Sequence, residues 1–153
     1  PITFDPSDSY KAKNFKSFKN NGLEVTSVLN FQDNLVKLSW TLQDPETPFG
    51  FDTSKNVQSA RRARSFGSVS WDFIRESYEL GVKSVYSSAR FDSDYSNVRL
   101  DDYLVFSVRG EFKFNKKLSL FVKGENITNE NYQLANGYIT SPSSIYFGVS
   151  YNE

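Results

Sequence analysis

The chain has 153 residues, one domain's worth, and its 18 Lys+Arg balance 18 Asp+Glu, so it lacks the basic excess expected of a nucleic-acid binder. It contains no His, Cys or Met, which removes a Ser-His-Asp triad, an imidazole base, disulfides and the usual thiolate or imidazole metal sites. Aromatics are 16% of residues, too many for a disordered chain, and no apolar run approaches the ~18 residues of a membrane-spanning helix.

From the N-terminus, Lys11–Lys19 shows no clean alternation. A period of two then begins and recurs. Leu23–Phe31 sets Leu23, Val25, Leu29 and Phe31 against Glu24, Thr26 and Asn30. Leu35–Leu42 sets Val36, Leu38, Trp40 and Leu42 against Lys37, Ser39 and Thr41. Ser65–Phe73 offers Val69, Trp71 and Phe73, and Tyr78–Tyr86 offers Tyr78, Leu80, Val82 and Tyr86. Tyr103–Phe114 is the longest, with Leu104, Phe106, Val108, Phe112 and Phe114 against Ser107, Arg109, Glu111 and Lys113. Leu118–Glu125 and Ile145–Tyr151 complete seven expected strands. No segment has a helical period.

The connections alternate in length. Tight turns follow Phe31, Phe73 and Phe114, whereas Gln43–Arg64, Ser87–Asp102 and Asn126–Ser144 read as long polar loops. Short turns at one end and long loops at the other describe an antiparallel up-and-down meander, the layout of a transmembrane β-barrel. Alternation alone leaves open which face is buried, because a soluble lipid-binding barrel shows the same pattern with its apolar face inward. Three features favour lipid outside: a heavily charged polar face, aromatics at the turn ends of the apolar face, and strands of ~9–12 residues. The fold expected is therefore all-β, with about seven to eight membrane-crossing strands and the whole of residues 1–153 as one barrel segment.

No catalytic residue, metal site or cofactor is expected. Arg61, Arg62 and Arg64 form the densest basic cluster, suited to an anion or a lipopolysaccharide phosphate, or simply to a solvated strand entry. Asp92, Asp94, Asp101 and Asp102 share a loop but lack the Gly-turned spacing of a calcium loop. Tyr132, Asn136 and Tyr138 in the last long loop combine aromatic and amide groups, as a polar ligand with apolar faces requires, although interfacial packing explains them too. Asn126-Ile127-Thr128 matches the glycosylation sequon. Arg109, Glu111, Lys123 and Glu125 share the polar face of adjacent strands and are expected to pair across the ladder.

The second half carries more than periodicity. It includes Val98-Arg99-Leu100-Asp101-Asp102-Tyr103, then Leu118-Ser119-Leu120, Glu125-Asn126-Ile127-Thr128-Asn129 and Tyr132, then Asn136-Gly137-Tyr138, and last Ile145-Tyr146-Phe147-Gly148-Val149-Ser150-Tyr151. These stretches resemble the C-terminal end of TonB-dependent outer-membrane receptors, most closely the vitamin B12 (cobalamin) receptor branch. Gly22-Leu23-Glu24 and the basic stretch at Arg61–Arg64 fit loosely. Such receptors usually end on Phe, where this chain has Glu153. The resemblance implies a portion of a barrel of about 22 strands. It also implies import of an iron chelate or a corrinoid, a plug outside this chain, and an energy-coupling protein, TonB, engaging a segment outside it. The implied partners are outer-membrane lipid and the remaining strands and plug. Two other readings stand beside it: a self-contained eight-stranded outer-membrane barrel, with residues 2–20 as the eighth strand, and a soluble lipid-binding barrel.

Overall fold

The computed structural model describes residues 2–5, 9, 11–14, 18–49, 52–93 and 97–151. Among them there is no helix. The strands are β1 (Ile2–Asp5), β2 (Lys11–Asn14), β3 (Lys19–Phe31), β4 (Asn34–Phe49), β5 (Asp52–Gln58), β6 (Ser65–Ile74), β7 (Tyr78–Ser87), β8 (Arg90–Phe91), β9 (Arg99–Leu100), β10 (Tyr103–Lys113), β11 (Leu118–Glu125) and β12 (Ser144–Tyr151).

The main sheet runs β12-β11-β10-β7-β6-β4-β3, with β5 beside the upper part of β4. Every pairing in it is antiparallel. The long strands therefore follow one another across the sheet as an up-and-down meander. β1 and β2 pair with each other in a separate two-stranded sheet, so they do not supply an eighth strand to its edge.

Two expected loops contain strands. β4 continues past Leu42 to Phe49, and β5 returns beside it, within the segment Gln43–Arg64 that reads as a loop. The sequence there, Asp44-Pro45-Glu46-Thr47-Pro48, carries turn-forming residues, and proline cannot donate to a ladder. Pro45 nevertheless sits fully buried opposite Asn20, and its carbonyl accepts from the Ser59 amide at 2.8 Å. Within Ser87–Asp102, β8 and β9 pair over two residues each.

The register places one kind of side chain on each face. Leu38, Val69 and Phe106 share a face with Val36, Trp71, Val82 and Val108. That face has no cover from the described residues: Leu23 is 60%, Val149 63% and Phe147 80% exposed. Among the described residues the buried hydrophobic ones, Ala63 and Leu100, lie in the connections at the long-loop end. Aromatics mark both margins of the apolar band. Trp71, Phe73 and Tyr78 form a chain of ring contacts near the tight turns, and Phe112 meets Phe114 edge-on at 4.9 Å.

At the opposite margin Trp40 and Tyr86 stack at 5.6 Å with planes 9° apart. They can do so because Gly67 lies between them in register. A Cβ at Gly67 would fall 2.4 Å from the Ser39 carbonyl oxygen and 2.6 Å from the Trp40 ring. The first contact is with backbone, so relief requires moving β4. Gly67→Ala is expected to cost about 1–3 kcal/mol, the usual range for overpacking. Urea titration of the lipid-reconstituted protein, followed by tryptophan emission, measures it; a cost below ~0.5 kcal/mol would show that the strands yield freely.

Candidate functional site

The polar face of the sheet carries balanced charge in its lower half. Arg109, Glu111, Lys123 and Glu125, expected to pair across the ladder, do not pair with one another across it. The Arg109 guanidinium crosses β7 to Asp72 on β6 at 3.1 Å and lies 3.9 Å from Glu79. Gly81 makes this possible: a Cβ there would fall 2.5 Å from Asp72 Oδ1 and 2.8 Å from Arg109. Register explains why the nearest positions do not serve. Arg109 stands directly opposite Lys123, and Glu111 opposite Glu79. Lys113 takes Glu79 at 2.8 Å, and Lys123 pairs with Glu125 on its own strand.

Above this network, the long connections meet over the sheet. Asp92 is where three of them join. Its Oδ1 accepts from Arg61 Nε at 3.0 Å and from the Asn136 amide at 3.1 Å. The Arg61 amide also donates to the Phe91 carbonyl at 2.7 Å. The Asn136 amide first, then Arg61, holds the Asp92 carboxyl below its ordinary 3.8. A depressed folded value means that the junction is fully present above 3.8 and is lost as pH falls through the lower folded value. Hydrogen-exchange protection of the Asn136 amide is therefore expected to hold from neutral pH down to that value and to collapse below it. Asp92→Asn should remove the pH dependence; an unchanged profile in that variant would assign the dependence to another group.

The last loop is set by Asn126. Its side-chain amide donates to the carbonyls of Glu130 (2.9 Å) and Ser141 (3.2 Å), and its Oδ1 accepts from the Glu130 amide at 2.8 Å. It adopts φ 49°, a conformation asparagine tolerates better than most residues, and is 5% exposed. All these bonds are internal, so the sequon asparagine is a structural corner with no free amide to glycosylate.

Beneath the joined loops lies a concave space of about 790 Å³. The sheet lines it with Ser39, Gln43, Ser68 and Lys83, and the connections with Arg61, Arg62 and Arg90. Arg90 is buried; it donates to the Gln133 carbonyl at 3.0 Å and lies 5.5 Å over the Tyr103 ring. Tyr103 in turn meets Tyr132 at 4.3 Å.

The structure thus separates the residues singled out from the sequence. Arg61 and Arg62 line the concave space; Arg64 pairs with Asp44 at 3.1 Å and does not. Tyr132 supports it through Tyr103, Asn136 contributes its backbone amide to Asp92, and Tyr138 is 74% exposed with its side chain outside the space. Asp94 lies outside the described residues. No group of three or more acidic residues is placed to hold a metal ion among the described residues. Lys83, Arg90 and Tyr103 were not singled out. Lys83 was legible only as one polar-face charge among several, and Arg90 as an isolated cation in a loop.

No family model matches the chain, and no curated protein matches it. Solved structures do. The sheet is similar to the siderophore receptor PiuA of Acinetobacter baumannii, with a TM-score of 0.78 at 15% identity over 98% of this chain and 24% of that one. It is similar to the ferripyoverdine receptor of the outer membrane of Pseudomonas aeruginosa, with a TM-score of 0.75 at 16% identity over 96% of this chain and 21% of that one. It is also similar to the FrpB iron transporter of Neisseria meningitidis, with a TM-score of 0.74 at 16% identity over 99% of this chain and 26% of that one. The chain spans about a quarter of the length of each. Its fold is that of a consecutive portion of an outer-membrane receptor barrel.

Proposed function

We propose that this chain is part of the barrel wall and outer loops of a TonB-dependent outer-membrane receptor that imports an iron chelate or a corrinoid. One observation carries the reading. A sheet of seven long strands, apolar on one face and charged on the other, matches barrel portions of receptors over nearly its whole length. The apolar face lies in lipid and the charged face turns inward, toward the plug. The joined loops at Asp92 stand at the outer mouth, where cargo arrives. The energy-coupling protein TonB engages a segment outside these residues. The role is transport, with no catalytic step.

The structures it resembles carry iron-siderophore cargo by name, which favours a ferric chelate. The corrinoid alternative draws its support from the sequence resemblance in residues 98–151. The discriminating experiment is deletion of the gene in its native host, with uptake of labelled ferric siderophores and of labelled cyanocobalamin measured side by side. Energy-dependent uptake of one class is expected to disappear. Unchanged uptake of both would contradict the proposal.

A further inference from the structure

Among the described residues, the concave space beneath the loops is lined by four cations and by no carboxylate. Lower on the same face Arg109 pairs with Asp72, Lys113 with Glu79 and Lys123 with Glu125. In a chain with zero net charge, this local excess is a feature of the site.

Of the four, Arg61 alone has an acidic partner among the described residues, Asp92. Arg62 lies over the Phe18 ring at 5.3 Å. Lys83 stands between Ser70 and Ser107 in register and makes no ion pair among the described residues. Arg90 is 5% exposed, and among the described residues its guanidinium meets neutral groups: Ser87 Oγ at 3.4 Å, the Gln133 carbonyl at 3.0 Å and the Tyr103 ring. Guanidinium carries five donors in a planar fork matched to carboxylate or phosphate, and a buried charge is costly unless compensated. The volume, about 790 Å³, is that of a small-molecule site.

We propose that this space is an oxyanion seat in which Arg90 and Lys83, with Arg62 beside them, hold the carboxylate or phosphate groups of a small polyanion. The inference rests on the receptor reading only in making that polyanion part of the cargo. Ser39, Gln43 and Ser68 supply neutral hydrogen-bonding groups around it.

The test is calorimetric titration of the detergent-solubilised receptor with citrate as the probe and the neutral trisaccharide raffinose as control. Citrate is expected to bind and raffinose to give no heat. Raising salt should weaken citrate binding, because exposed charges are screened over ~10 Å at 0.1 M. Lys83→Gln, on an exposed side chain, should weaken it about five- to tenfold with an unchanged melting temperature, as loss of one charge-assisted contact requires. Arg90→Lys, which keeps the charge, should weaken it less than Arg90→Gln. No citrate heat in the millimolar range at low salt, or an unaltered Kd in Lys83→Gln, would overturn the seat. Uptake in cells is read separately. Intact chelate uptake without citrate binding removes the seat and keeps the receptor reading; citrate binding that depends on Lys83, with no uptake of any chelate, does the reverse.

Discussion

Arginine in place of Phe106 is expected to cost about 2–4 kcal/mol of folding stability in a lipid bilayer, whereas arginine at Ser107 should cost little. The two residues are adjacent on β10 and point to opposite faces of the sheet. Phe106 lies in the row of Ser84, Val69 and Leu38, inside the band bounded by Trp40 and Tyr86 above and by Phe73, Tyr78 and Phe112 below. A guanidinium there must sit in hydrocarbon. Ser107 faces the polar side opposite Lys83, where an added cation meets water and a like charge worth only a few tenths of a kcal/mol. Equilibrium unfolding of both variants in liposomes measures the difference. Equal costs, or a larger cost at Ser107, would place the apolar face inside the barrel.

The second large effect concerns the edges. β3 and β12 each pair on one side only among the described residues. β12 has eight residues, so about half its backbone N–H and C=O groups lack partners in this sheet. In lipid each such group costs several kcal/mol, which no local contact offsets. The 153 residues alone are therefore expected not to insert as a stable monomer. They should insert when the remaining strands of the proposed receptor are supplied. Cysteines placed on β12 at Ile145 or Phe147 should then form disulfides with a neighbouring strand of that added segment. The chain carries no native cysteine to confuse the readout. A monomeric, protease-resistant, heat-modifiable band from these residues alone would contradict the account and support a self-contained barrel.

Much of this fold was legible because a period of two forces the register: a slip of one residue would move Val25, Trp40, Val82 and Phe147 to the charged face. Strand ends were less so. β3 begins at Lys19, because Asn20 and Asn21 pair with Pro45 and Asp44 above the apolar band, where polarity no longer alternates. The β4 extension was hidden by its two prolines. The site was legible only in parts. Arg61 and Asn136 were marked by composition, but the carboxylate that joins them, Asp92, is 44 residues from Asn136 in sequence and only the folded loops bring them together. Arg109 was legible as a charge on the polar face, but its partner Asp72 was not, because a glycine one strand away decides how far its guanidinium can reach.

The central claim is that the apolar face of this sheet lies in lipid and the polar face lines an interior. Single cysteines along β10, from residue 104 to 112, carrying a small fluorophore in lipid-reconstituted protein, test it most directly. The account predicts that even positions, including Phe106 and Val108, are quenched by brominated lipid, and odd positions, including Ser107 and Arg109, by aqueous iodide. The opposite alternation, or no alternation, would contradict it.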